Sequence, residues 1–171
     1  MQTPVNLNSL LRLRHLEIVW NLDAANLQHC DRLLYIARTL KTLPFGELRP
    51  QQLQLDLFLS FYGLPNFEAD LHHLPWSSLI ELFEDARSSE RFSEVKLKIA
   101  RLERHGHKRV PVDMTTPELT EILDANKRLK KLRETGLLSY IPNQIVPELV
   151  RPLVRTCGAF RLFASPFKTA H

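Results

Sequence analysis

Leu53-Gln54-Leu55-Asp56-Leu57, running on through Phe61 to Gly63, is the stretch whose reading decides the fold. Leu53, Leu57 and Phe61 recur every four residues, as on one side of a helix. Leu53, Leu55 and Leu57 recur every two, as on one face of a strand. Composition favours the helix: Gln, Leu and Asp are not β-branched, and strands are richest in Val, Ile, Thr and aromatic residues. Pro50 stands ahead of the run, and Gly63 stands where a helix finds its left-handed C-terminal residue. The stretch is therefore predicted to be the third helix of the chain.

Outward from it, spacings of three and four dominate. Leu10, Leu13, Leu16 and Trp20 make a first helix. Asp23 fits the N-cap of a second, lined by Leu27, Cys30, Leu34, Ala37 and Leu40 and ended by Pro44 and Gly46. A fourth begins near Pro75, with Leu79, Leu82, Phe83 and Ala86 buried, and Trp76 in the turn ahead of it reads as a core wedge before a partner surface. A fifth places Phe92, Val95, Ile99 and Leu102 in one narrow arc, with Leu97 facing away. His105-Gly106-His107 breaks that helix. Val110, Val112 and Met114 then alternate, a short β candidate near 109–114. Thr116-Pro117-Glu118 starts the next helix with a capping hydroxyl and a proline in the first turn. Its buried face is Leu119, Ile122, Leu123, Leu129 and Leu132, and Gly136 stops it. A last helix runs from Pro147 through Leu149, Val150, Leu153 and Val154, kinked by Pro152. Phe160, Phe163 and Phe167 predict a tail that docks on the body. The expected fold is mainly α: a single helical domain of about six or seven helices, with one short β element.

The chain has 171 residues, of which 44% are hydrophobic and 25% charged, the balance of a globular protein with a real core. Five glycines disfavour Gly-rich phosphate loops. Cys30 and Cys157 are the only cysteines, and no basic-then-apolar leader precedes the first helix. Two thiols in a cytoplasmic protein are the expectation. No apolar run approaches the roughly 20 residues of a membrane span.

Charge is divided unevenly. Residues 1–90 hold 7 Lys and Arg against 11 Asp and Glu; residues 91–171 hold 16 against 8, so a net +4 conceals an acidic half and a basic half. Such a split points to an acidic partner for the basic half, nucleic acid above all and DNA first. The densest run is Lys127-Arg128-Leu129-Lys130-Lys131-Leu132-Arg133. On a helical wheel Lys127, Arg128 and Lys131 fall opposite the leucines, while Lys130 and Arg133 lie nearer the buried side and must snorkel. With Arg101, Arg104, Lys108 and Arg109, the residues Lys127, Arg128, Lys130 and Lys131 form the predicted phosphate-binding set. The bland reading of the same run is a solvated helix face whose cations complement the dipole.

Leu129 to Tyr140, LKKLRETGLLSY, resembles the end of a winged-helix recognition helix, where leucines and lysines run into a glycine and then a wing strand. The resemblance covers about a dozen residues. The preceding helix and turn of that family have no counterpart, because Leu119–Leu123 leads into the basic run without a break. No membership is assigned.

Two histidine clusters, His72-His73 and His105-Gly106-His107, lack Cys or carboxylate partners at metal-ligand spacing and read as surface histidines. Glu81, Glu84 and Asp85 look like a polar helix face, and Glu118 and Glu121 favour the dipole at a helix start. No nucleophile elbow, phosphate loop or dinucleotide fingerprint occurs. The sequence thus predicts a non-enzymatic regulatory or accessory protein that binds nucleic acid through its basic half, without metal or cofactor. The alternative is a cytoplasmic adaptor whose acidic and basic halves dock different proteins.

Overall fold

The computed structural model describes residues 4–9, 13–23, 31–64, 66–105, 108–142 and 158–163. In chain order the elements are β1 (His15–Asp23), α1 (Asp31–Leu40), β2 (Leu53–Tyr62), α2 (Phe67–His72), α3 (Ser77–Glu84), α4 (Ala86–Ser89), β3 (Phe92–His105), β4 (Lys108–Val112), α5 (Thr116–Asp124), α6 (Lys127–Glu134), β5 (Leu138–Pro142) and β6 (Gly158–Phe163). The strands form one six-stranded mixed sheet in the order β4-β3-β2-β1-β6, with β5 also on β3. The long strand β3 divides its outer edge. Val95–Ile99 pair with β5 in parallel, and Arg101–His105 pair with β4 antiparallel. β6 closes the far side antiparallel to β1.

The fold is therefore α/β, and the expectation of a mainly α, all-helical domain is overturned by this sheet. β1, β2, β3 and β5 are parallel, each laid beside its predecessor in one direction. Right-handed crossovers that advance in one direction bring their helices to one face. The core shows this: Leu33 and Ile36 of α1, Leu79 and Ile80 of α3, Leu119 of α5 and Leu129 of α6 share one cluster with Leu16, Ile18, Leu55, Leu57, Val95 and Leu97 of the strands.

The helix reading of 53–61 is overturned, because these residues form β2, a central strand buried on both faces. Leu53, Leu55, Leu57, Leu59 and Phe61 meet the helices, while Asp56, Phe58 and Ser60, pointing the other way, are buried too. An alternating run also contains the spacing of four, and leucines in place of β-branched residues, with Gly63 after them, tilt that ambiguity toward a helix. β3 misleads for a second reason. Leu53 pairs with Phe92 but Gln54 pairs with Glu94, so Ser93 is one residue extra. That bulge reverses the alternation, putting Phe92 and Val95, three apart, on the same core face. Leu102 is buried from the opposite face. Two faces and a bulge together imitate a helical stripe. The predicted first helix is likewise β1, where Leu16, Ile18 and Trp20 enter the core at every second position.

Elsewhere the elements stand close to where the sequence puts them. α3 buries Leu79, Leu82 and Phe83. β4 covers most of the alternating Val110–Met114 stretch. α1 buries Leu33, Ile36, Ala37 and Leu40, a stripe rotated from the predicted one, with Leu34 only half-buried. The long helix expected from Thr116 is two: α5 ends at Asp124, and the Asn126 side chain caps α6 by accepting from the N–H groups of Arg128 and Leu129. The α5 cap is Thr115 rather than Thr116, in a reciprocal box with Glu118. Gly136, at φ 80°, follows α6 as expected, but β5 beyond it is a parallel member of the main sheet, not a wing. The tail returns as β6. Leu10, Leu27, Cys30, the helix predicted from Pro147 and Phe167 lie outside the described residues.

Candidate functional site

Strand alternation gives the sheet a second face, on which no described helix lies. β2 sends Gln54, Asp56, Phe58, Ser60 and Tyr62 to it. Register then sets the neighbours: Glu17, Asp56, Lys96 and Ser139 form one row across four strands. His15, Gln54 and Glu94 form the row below, and Val19, Phe58, Lys98 and Ile141 the row above. Residues facing each other across strands are near enough to interact directly, and long side chains also reach diagonally.

Asp56 is the centre of this face, its side chain only 5% exposed. Lys98 Nζ donates to Oδ2 at 2.7 Å and Gln54 Nε2 to Oδ1 at 3.1 Å. His15 Nε2 lies 3.4 Å from Oδ2. Burial works to raise the Asp56 pKa, but the hydrogen bonds from Lys98 and Gln54, with the charges of Lys98 and His15, outweigh it and hold the carboxyl below its ordinary value. The Lys98 ammonium also stands 5.9 Å from the centre of the Phe58 ring. A carboxylate so fully engaged is a poor general base, which needs a free lone pair within reach of a proton. Around it Lys96 pairs with the partly exposed Glu94 at 3.1 Å. Toward the strand C-termini the face turns apolar, with Val19, Phe58, Ala100 and Leu102 buried and the Ser60 hydroxyl unpartnered among the described residues.

The predicted phosphate-binding set is dispersed. Arg101 donates to Glu103 at 2.7 Å and stacks on Phe67, on the helix side of the sheet. Arg104 pairs in register with Arg109, and Lys108 with His105, at the end of the β3–β4 hairpin. The Arg104, Lys108 and Arg109 side chains lie outside the described ones. Lys127, Arg128, Lys130 and Lys131 do share α6, and all four are exposed. Yet Arg128 forks onto both Glu84 oxygens, at 3.3 and 2.6 Å. That bond raises the Arg128 pKa and lowers that of Glu84. Lys130 stands 3.9 Å from Glu134, on the solvent side rather than snorkelling. Arg133 is the partly buried one, forked onto Asp124 at 3.1 and 2.5 Å. Burial, with the Asp124 charge, pushes the neighbouring Tyr140 hydroxyl well above its ordinary value.

Trp76 is a core wedge, 3% exposed, its Nε1 donating to the Leu71 carbonyl at 2.9 Å. His72 and His73 are exposed at the end of α2. Among the described residues no three His, Cys, Asp or Glu side chains converge as a metal site would require. The Asp56 cluster was missed from sequence. Its signal, an acid inside an apolar run with lysines at alternate positions 96 and 98, has meaning only once both runs are strands. No family model matches this chain, and no curated protein or solved structure matches it.

Proposed function

We propose that the chain is a non-enzymatic protein-interaction module that docks a partner on the helix-free face of its sheet. One observation carries the reading: register lays Glu17, Asp56, Lys96 and Ser139 in one row, with Glu94 and Lys98 beside it, on strands locked by the core behind them. Mixed charge on a rigid support discriminates partners by complementarity and rejects wrong ones by like-charge contact. Phosphate, by contrast, calls for a surface of one sign. Here Arg101, Arg128 and Arg133 are engaged by Glu103, Glu84 and Asp124. That favours the adaptor reading over nucleic acid. Among the described residues no helix is long and apolar enough to cross a membrane, and a cytoplasmic setting belongs to the same proposal.

The test uses two charge-reversed variants of the whole chain. Glu17→Lys with Lys96→Glu disturbs the sheet face; Lys127→Glu, Lys130→Glu and Lys131→Glu disturb α6. Partners cross-linked to the wild type should be lost with the first variant and kept with the second. Duplex DNA should bind the wild type weakly at physiological salt. Partner capture unaffected by the sheet-face variant, joined to strong salt-dependent DNA binding lost with the α6 variant, sinks the proposal in favour of nucleic acid.

A further inference from the structure

A cleft on the helix side, remote from that charged face, has the attributes of a small-molecule site. Its volume is about 820 Å³, within the range of organic-ligand pockets. The turn after α1 supplies Leu43, Pro44 and Phe45, and Leu82 of α3 supplies more apolar wall. The half-buried Phe45 ring is fixed edge-on to Phe92 at 5.7 Å, and Phe92 meets Phe83 in the same way at 5.7 Å. This wall is a rigid aromatic surface rather than a loose loop.

The remaining lining is charged and balanced: Lys41 and Arg91 against Glu81 and Asp85. None of the four forms an ion pair within 4.0 Å among the described residues. Arg91 Nε is buried and has no hydrogen-bond partner among the described residues, an expensive state for a cationic donor. Asp85 is oriented by Ser88, whose N–H donates to Oδ2 at 3.2 Å and whose hydroxyl lies 3.0 Å away. Ser88 is itself anchored, its hydroxyl donating to the Leu82 carbonyl at 2.5 Å. Among the described residues no hydrogen bond reaches the Asp85 Oδ1. The cleft thus offers an acceptor-seeking cation, a positioned carboxylate and an aromatic wall.

We propose that this cleft binds a small organic zwitterion with an apolar body, the chemistry of an aromatic amino acid or a short peptide. The ligand carboxylate sits on Arg91 with Lys41 nearby, its ammonium on Asp85 and Glu81, and its ring against Pro44 and Phe45. A simple anion meets the two carboxylates and a simple cation meets Lys41 and Arg91; a zwitterion satisfies both pairs at once. Inorganic phosphate leaves most of the volume and the aromatic wall unused.

The experiment is an amide-shift titration of the full chain with four probes. They are L-phenylalanine, the dipeptide phenylalanyl-phenylalanine, 3-phenylpropionate and phenethylamine. Both zwitterions should move amides of the 41–46 turn and of α3, and the tighter of the two identifies the source as free amino acid or peptide. Each half-analogue should bind roughly tenfold more weakly, the cost of one lost charged contact. Arg91→Gln should weaken the zwitterions and 3-phenylpropionate and spare phenethylamine. Asp85→Asn should do the reverse, with Glu81→Gln as the substitute should Asp85→Asn perturb circular dichroism or melting. Absence of saturable shifts at millimolar probe, or equal affinity in wild type and all variants, overturns the proposal.

Discussion

At the scale of single residues, Asp56 shows how a charge survives in the middle of an apolar strand. Its desolvation is offset by a donated ammonium bond from Lys98 and a donated amide bond from Gln54, with the His15 ring nitrogen 3.4 Å away. Asp56→Asn keeps the shape but leaves Lys98 without its counter-charge, so it should destabilise by about 2–3 kcal/mol near neutral pH. The pH dependence follows from the lowered pKa of the folded state. Stability from this carboxylate is fully present above its unfolded pKa, given by the ordinary value of 3.8. It is lost as pH falls through the still lower folded value. Urea midpoints of the wild type should therefore drop below that pH more steeply than those of Asp56→Asn; parallel curves would show that Asp56 is not the titrating anchor. Gln51 makes the opposite case, a residue whose backbone is in the left-handed region at φ 51°. That conformation costs a non-glycine residue about 1–2 kcal/mol, so Gln51→Gly should raise stability by roughly 1 kcal/mol. An unchanged or lower urea midpoint would show that the side chain compensates.

At the scale of elements, Leu97 and Ile99 separate the two readings of 92–102. A helix turns Leu97 away from Ile99, whereas β3 buries both on the core face, 2% and 0% exposed. Leu97→Ala and Ile99→Ala should each cost about 2–5 kcal/mol in chemical unfolding. A mild Leu97→Ala beside a severe Ile99→Ala would restore the helix. The α5 cap makes a finer distinction. Thr115→Ala should cost about 1 kcal/mol and Thr116→Ala much less, because only Thr115 accepts from the Glu118 N–H. Helices bordered by caps and stops were legible in sequence: α3 by its position after Pro75, α5 by its threonines and proline, α6 by Gly136. Strands were not, for physical reasons. β2 does alternate, but its leucines lack the β-branching typical of strands and Gly63 stands where a helix would stop, while Ser93 shifts the phase of β3 where the pattern is read. The Asp56 site inherited that failure, since cross-strand register is invisible until the strands themselves are recognised.

At the scale of the whole molecule, the charge split that dominates the sequence is partly resolved inside the fold. Asp56 and Glu84, from the acidic half, pair with Lys98 and Arg128, from the basic half. β2 and β3, one from each half, are neighbours in the same sheet. Net charge per segment was thus legible, but its destination was not, because topology decides which charges meet. The same topology makes β6 the guard of one border. It comes from the far end of the chain, pairs antiparallel with His15–Trp20 of β1, and so occupies the side of β1 away from β2. Removing residues 143–171 takes no backbone pairing from β2, β3 or β5. The truncated chain should therefore keep its α/β circular dichroism while losing some stability. It should also expose along β1 a row of unpaired backbone groups flanked by Leu16, Ile18 and Trp20. A naked apolar edge of that length recruits other strands. Sedimentation should show the full chain as the smaller species and the truncated chain associating with rising concentration. Association should weaken when Ile18 is replaced by Pro, which cannot donate to a new ladder. A truncated chain that sediments no faster than the full one would show that β1 needs no guard.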